Sequence, residues 1–178
     1  MIIVSNHLLN KTKIEFPEDQ IVVRINVAWI REKEELIKLL KSTKHDIYLD
    51  YPIGRTKPPR PTIKFDEVVE LVPLFKQVKH FAVSNVEDPA AIAAIKNRLP
   101  QYVNLVPKIE TQKGIEALSE IIESISARHI MLDKEDLYVD VNRDHALFEK
   151  LIDVARETCK KKAVKVLELQ GVVFTPYV

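Results

Sequence analysis

The feature that most restricts the fold of this chain is a regular alternation of short β-branched runs with amphipathic stretches long enough to be helices. The clearest run is Ile21-Val22-Val23-Arg24-Ile25-Asn26-Val27, and residues 31–41 after it put Leu36, Ile37, Leu39 and Leu40 on one helical face. Asp46-Ile47-Tyr48-Leu49-Asp50 is a second strand, ended by Pro52 and Gly54. Residues 65–76 read as a helix burying Val68, Val69, Leu71, Val72 and Phe75, and residues 80–84 as a strand. Asp88-Pro89 then opens a helix reaching Arg98, with aspartate as the cap and proline at the first helical position. Residues 103–109, 129–132 and 163–169 are further strands, separated by helices over residues 113–126 and 144–160. Counting residues 1–4 gives seven strands; residues 7–20 carry no convincing helix and have room for a hairpin.

Strands recurring at intervals of roughly 25–30 residues with helices between them imply right-handed crossovers and a parallel sheet. A length of 178 residues fits a single domain spanning residues 1–178. Two architectures satisfy the pattern, an open doubly wound sheet and a closed barrel. Because a full eight-unit barrel takes roughly 200–250 residues, a barrel built from this chain would be compact or incomplete.

Composition narrows the function classes. Lys plus Arg total 27 against 26 Asp plus Glu, a net charge of +1, which removes the bulk electrostatic case for nucleic acid or an anionic membrane. One cysteine, Cys159, excludes an internal disulfide framework and fits a reducing, cytoplasmic setting. No apolar run approaches the roughly 18 residues of a membrane span, and the first residues lack the pattern of a signal peptide. Three glycines, Gly54, Gly114 and Gly171, have the spacing of neither a dinucleotide fingerprint nor a P-loop.

In parallel α/β folds the chemistry gathers at the carboxyl ends of the strands. The polar groups there are Arg24, Asn26, Asp50, Ser84, Asn85, Lys108, Glu110, residues 133–136 and Glu168. Glu110 and Asp136 lie about one βα repeat apart, so they are expected at the ends of neighbouring strands, where two carboxylates could share a divalent ion. Such a donor set suits Mg²⁺ or Mn²⁺ better than zinc. The plainer reading makes both of them solvated loop acids, or partners of Lys108 and Lys134. Arg24 and Lys108 are placed to hold an anion, or equally to form ion pairs with Asp50 and Glu110. The loop Arg55-Thr56-Lys57-Pro58-Pro59-Arg60 is a solvated, proline-stiffened segment or a nucleic-acid contact. The five histidines show no metal spacing, Cys159 reads as a packing residue, and Trp29 as a core, interface or pocket residue.

Taken in order, Val22-Val23-Arg24-Ile25-Asn26, Tyr48-Leu49-Asp50, Pro107-Lys108-Ile109-Glu110-Thr111 and Leu132-Asp133-Lys134-Glu135-Asp136-Leu137 resemble strands of the phosphoenolpyruvate/pyruvate-binding barrel superfamily. The similarity covers residues 21–170 and is shared between the pyruvate kinase barrel and the HpcH/HpaI aldolase/citrate lyase group. It implies a (β/α) TIM-type barrel, compact or incomplete, with about seven parallel strands. It further implies that Glu110 and Asp136 bind Mg²⁺ or Mn²⁺, and that Arg24, Asn26 and Asp50 bind substrate. Lys108 and Arg24 would act in catalysis on a small anionic 2-oxo acid through a metal-stabilised enolate, as in a lyase or aldolase.

The chain departs from the kinase pattern at several points. Ala28-Trp29 replaces Ser-His, Lys134-Glu135-Asp136 replaces Arg-Gly-Asp, and Glu168-Leu169 stands where Thr-Gln is expected. No inserted domain follows Asp50. Pyruvate kinase activity is therefore not expected. Only residues 171–178 are left for an eighth unit, which leaves an edge that another chain could cover; a homo-oligomer is expected, and a degenerate barrel serving as a binding or assembly module is the alternative to an enzyme.

Overall fold

The computed structural model describes residues 2–9, 21–54 and 58–168. Seven strands, β1 (Ile2–Ser5), β2 (Ile21–Asn26), β3 (Asp46–Tyr51), β4 (Val78–Val83), β5 (Asn104–Ile109), β6 (His129–Leu132) and β7 (Lys165–Glu168), pair in sequence order, every pair parallel. The sheet curls. Strands β3 and β6 stand three places apart, roughly 14 Å in a flat sheet, yet Tyr48 of β3 donates its hydroxyl proton to Met131 Sδ of β6 at 3.8 Å. The result is an incomplete TIM-type barrel, a half-barrel of parallel strands with helices outside; among the described residues no pairing joins β7 to β1.

Side chains alternate with period two, so each strand has one row facing the helices and one facing the interior. The outer row (Val23, Ile25, Ile47, Leu49, Phe81, Leu105, Ile109, Ile130 and Leu132) packs with helical residues such as Leu36, Leu40, Val68, Ile121 and Ile152 in the main core. The inner row forms a small second core of Val22, Tyr48, Ala82, Val106 and Met131. Polar residues lie below and above this apolar belt. Toward the strand amino ends, Asn104 Nδ2 lies 3.2 Å from His80 Nδ1 and 3.0 Å from His129 Nδ1. Above it, the same inward register brings up Arg24, Asp50, Ser84 and Lys108.

The helices are α1 (Asn6–Leu9), α2 (Lys33–Ser42), α3 (Phe65–Leu71), α4 (Pro89–Arg98), α5 (Gln112–Glu116), α6 (Leu118–Ile125), α7 (Lys134–Asp140) and α8 (His145–Lys161). Three differ from the sequence reading. The helix expected over residues 113–126 breaks at Ala117 into α5 and α6. The helix expected to residue 76 stops at Leu71, and Val72–Leu74 tightens into a 3₁₀ turn at Pro73. Helix α7 was not expected: it buries only Leu137, too little apolar periodicity to mark it, and is started by the Asp133 carboxylate accepting from the Asp136 amide. The hairpin expected within residues 7–20 falls largely outside the described residues, whose part of that stretch is the single turn of α1. Among the described residues no helix is long and apolar enough to cross a membrane.

Candidate active site at the strand carboxyl ends

A cleft of about 620 Å³ opens over the carboxyl ends of the strands, lined by Arg24, Ser84, Lys108, Glu110, Asp133 and Asp136 among others. Its floor is a row of alternating charge. Arg24, pointing inward from β2, donates from Nε at 2.9 Å and from Nη2 at 2.5 Å to Asp50 Oδ2 of β3. Asp50 is fully buried, and its Oδ1 has no hydrogen-bond partner among the described residues. Lys108, the next inward residue after Val106 on β5, donates from Nζ to Glu110 Oε1 at 2.8 Å and to Ser84 Oγ at 3.0 Å. Lys108 and Glu110 are only 6% and 4% exposed, so both charges are held out of water and depend on one another.

The electrostatics follow from that burial. Desolvation works against the Lys108 ammonium, but the fields of Asp50 and then Glu110 outweigh it, and its pKa lies above the ordinary lysine value. Burial pushes Glu110 above the usual carboxyl range, against the pull of Lys108 and of the Asn85 amide, which donates to Oε2 at 2.8 Å. Arg24 is also raised, because Asp50 overcomes the cost of its burial.

Glu110 owes its position to tight packing behind it. The Val86 amide donates to Lys108 O at 3.2 Å, and Asn85, at φ 53°, turns its amide toward Glu110 while its Nδ2 donates to Ile53 O. A Cβ on Gly114, in the first turn of α5, would meet Val86 O at 2.7 Å, so only glycine lets α5 lie this close. Thr111 caps α5 through the Gly114 amide and donates its hydroxyl to Glu87, which also pairs with Lys113.

Glu110, Asp133 and Asp136 each offer a carboxylate oxygen within 4.8 Å of the others. Three hard oxygen donors at that spacing fit a Mg²⁺- or Mn²⁺-sized ion, which leaves further positions for water or ligand oxygens, and they do not fit zinc's preference for imidazole or thiolate. Glu110 and Asp136 thus meet as the sequence suggested, by a different route. Asp136 is not at a strand end but in the first turn of α7. The strand-end residue is Asp133, whose amide donates to Ile109 O at 3.1 Å, and it joins the cluster as a third acid. Its signal was legible: it directly follows β6 as Glu110 directly follows β5.

The other sequence candidates divide. Arg24 and Lys108 both line the cleft, each already ion-paired as the plainer reading allowed. Asp50 stands behind Arg24. The Asn26 side chain accepts from the Ala28 amide at 3.0 Å, capping the short 3₁₀ turn Val27–Trp29, and does not line the cleft. Trp29 is 58% exposed, edge-on to His7. Glu168 is engaged by Lys134 and Arg156. Ser84, Asn85, Glu87, Thr111 and Asp140 also line the cleft; of these Ser84 and Asn85 stood among the sequence candidates.

No family model matches the sequence, and no curated protein matches it. Solved structures do. An HpcH/HpaI aldolase/citrate lyase family protein from Burkholderia cenocepacia superposes with a TM-score of 0.62 at 10% identity, over 83% of this chain and 70% of that one. CitE from Mycobacterium tuberculosis, in complex with magnesium, acetoacetate and coenzyme A, gives 0.60 at 11% identity over 83% and 56%. Macrophomate synthase gives 0.64 at 13% identity over 82% and 62%. The chain therefore spans between 56% and 70% of the length of these structures. At such identities the likeness establishes the architecture alone: this chain has the parallel α/β barrel fold of these structures, as a curled half-barrel.

Proposed function

We propose that the cleft binds Mg²⁺ or Mn²⁺ and catalyses carbon–carbon lyase chemistry on a pyruvate-like 2-oxo acid through an enolate. The observation that carries this reading is the meeting of Glu110, Asp133 and Asp136 within 4.8 Å beside a buried lysine. CitE, which shares the fold, is a magnesium complex, and that lends support to a cation here. When bound, the cation supplies a Lewis acid that draws charge from a substrate oxygen.

The chain's own residues account for the rest. Glu110, Asp133 and Asp136 hold the ion. Arg24, tied to Asp50 through Nε and Nη2, keeps its remaining N–H groups for a substrate carboxylate at the cleft wall. Lys108, held protonated by Asp50 and Glu110, offers a cationic donor to an oxygen on which negative charge develops. Ser84 accepts from that ammonium beside Glu110.

Calorimetry with Mn²⁺ on the chelator-treated protein tests the metal, and deuterium exchange of the pyruvate methyl protons, followed by NMR with Mg²⁺ present, tests enolisation. Asp133→Asn and Asp136→Asn, on partly exposed side chains where folding is safe, are expected to weaken Mn²⁺ binding about tenfold or more. Both are also expected to suppress exchange. A folded wild type that binds no divalent ion ends the enzyme reading.

A further inference from the structure

We infer that Lys108 is a movable internal counter-ion, resting on Glu110 when no divalent cation is bound and passing to the unpartnered oxygen of Asp50 when one enters. The inference rests on the metal reading above and adds to it a coupling between the acidic cluster and the Arg24–Asp50 pair.

Glu110 is committed on both oxygens, to Lys108 on Oε1 and to the Asn85 amide on Oε2, each at 2.8 Å. A divalent cation shared with Asp133 and Asp136 must sit against this same carboxylate. There it meets an ammonium that is buried and cannot hide its charge in water. The repulsion has one ready outlet. Asp50 Oδ2 takes both Arg24 donors, while Asp50 Oδ1, fully buried, has no hydrogen-bond partner among the described residues. Leaving a buried carboxylate oxygen unpartnered is costly, so a donor that reaches it is favoured.

Lys108 is the donor within reach. Asp50, Ala82 and Val106 are register partners across β3, β4 and β5, and Lys108 is the next inward residue after Val106, so its long side chain extends over the same interior that the Asp50 carboxylate faces. It also has the right mechanics. A lysine is a point charge on a flexible four-carbon stem, whereas the guanidinium of Arg24 is a rigid fork already spent on Oδ2. After the move Asp50 carries one cation on each oxygen, and Glu110 is left with the metal and the Asn85 amide. Charge is conserved along the row, and the contact given up is the one the buried Ser84 hydroxyl accepts from the ammonium. Metal entry thereby delivers the ammonium to the Arg24 end of the cleft floor, where the carboxylate of the proposed substrate would sit.

The test is a double-mutant cycle on the full chain, read by Mn²⁺ calorimetry at pH 7.5 with Asp50→Asn, Lys108→Met and both together. Lys108→Met should tighten Mn²⁺ binding, and Asp50→Asn should weaken it about tenfold, within the usual coupling range for neighbouring charges. In the Lys108→Met background, Asp50→Asn should have no effect. An equal loss in both backgrounds means that Asp50 acts through space alone and overturns the inference while the metal site stands. Absence of Mn²⁺ binding in wild type removes both. Should Asp50→Asn fail to fold, the ¹⁵N resonance of Lys108 Nζ in wild type decides: it should shift on Mg²⁺ saturation, and an unmoved resonance in a protein that binds Mg²⁺ refutes the displacement.

Discussion

Replacing Gly114 by alanine probes how the site is supported, because the added methyl has a defined collision. The new Cβ would lie 2.7 Å from Val86 O, and the obstacle is backbone, not the end of a flexible side chain. A carbon–oxygen contact needs roughly 3.3 Å or more, so the segment around Val86 must retreat by several tenths of an ångström. Overpacking of this kind costs about 1–3 kcal/mol. Alanine in place of glycine within a helix returns up to about 1 kcal/mol. The net expectation is a loss of up to about 3 kcal/mol, with a middle value of about 1.5 kcal/mol, which for a chain of this size lowers the melting temperature by roughly 3–6 °C.

The same shift reaches the chemistry, since Val86 and Asn85 hold Lys108 O and Glu110 Oε2 through their amides. Thermal unfolding by circular dichroism, with Mn²⁺ calorimetry on the folded variant, should therefore show a lower melting point and weaker ion binding together. Gly54→Ala is the contrast. Among the described residues its Cβ meets only the Asn85 side chain, at 3.4 Å, and its cost comes from a φ of +69°. A Gly114→Ala protein as stable as wild type, with unchanged ion affinity, would refute the idea that close approach of α5 sets the position of Glu110.

Two further outcomes follow from the remaining titratable groups. His80 and His129 have pKa values below the ordinary 6.5, chiefly through burial, so the unfolded chain takes up protons first as pH falls. Their contribution to stability is therefore complete above pH 6.5 and declines as pH drops from there toward their native values. Urea titrations at pH 7.5 and 5.5 should show the decline, and His80→Gln/His129→Gln should flatten it; an equal slope in the double variant would count against the assignment. Burial pushes the Cys159 thiol up to about 11, so a thiol reagent at pH 8 should label the native protein far more slowly than the unfolded chain, and fast native labelling would show that α8 opens readily.

What could be read without coordinates was whatever repeats locally. Each strand is a short β-branched run whose inward and outward rows are two residues apart, and Asp88-Pro89 marks its helix by cap chemistry alone. That was enough to place seven strands, to make them parallel, and to bring Glu110 and Asp136 to the same end of the sheet. Helix α7 escaped because a seven-residue helix with one buried side chain has no periodic face; its start is set by Asp133, and with it the true neighbour of Glu110. Asn26 looked like a ligand residue because its position is right, and only the Ala28 amide shows that its oxygen is already used.

Pattern also left the choice between an open sheet and a barrel undecided, since both bury the same outward row beneath helices. Curvature is settled by the inner row, where Tyr48 and Met131, 83 residues apart in the chain, pack against each other across the interior. The charge pairing of the site belongs to the same level. Arg24 with Asp50, and Lys108 with Glu110, could each have remained solvated; burial makes each cation dependent on a particular acid. Sequence determined which residues arrive at the cleft, and tertiary packing decided which oxygens they share, because desolvation and contact distance exist only once the strands have curled together.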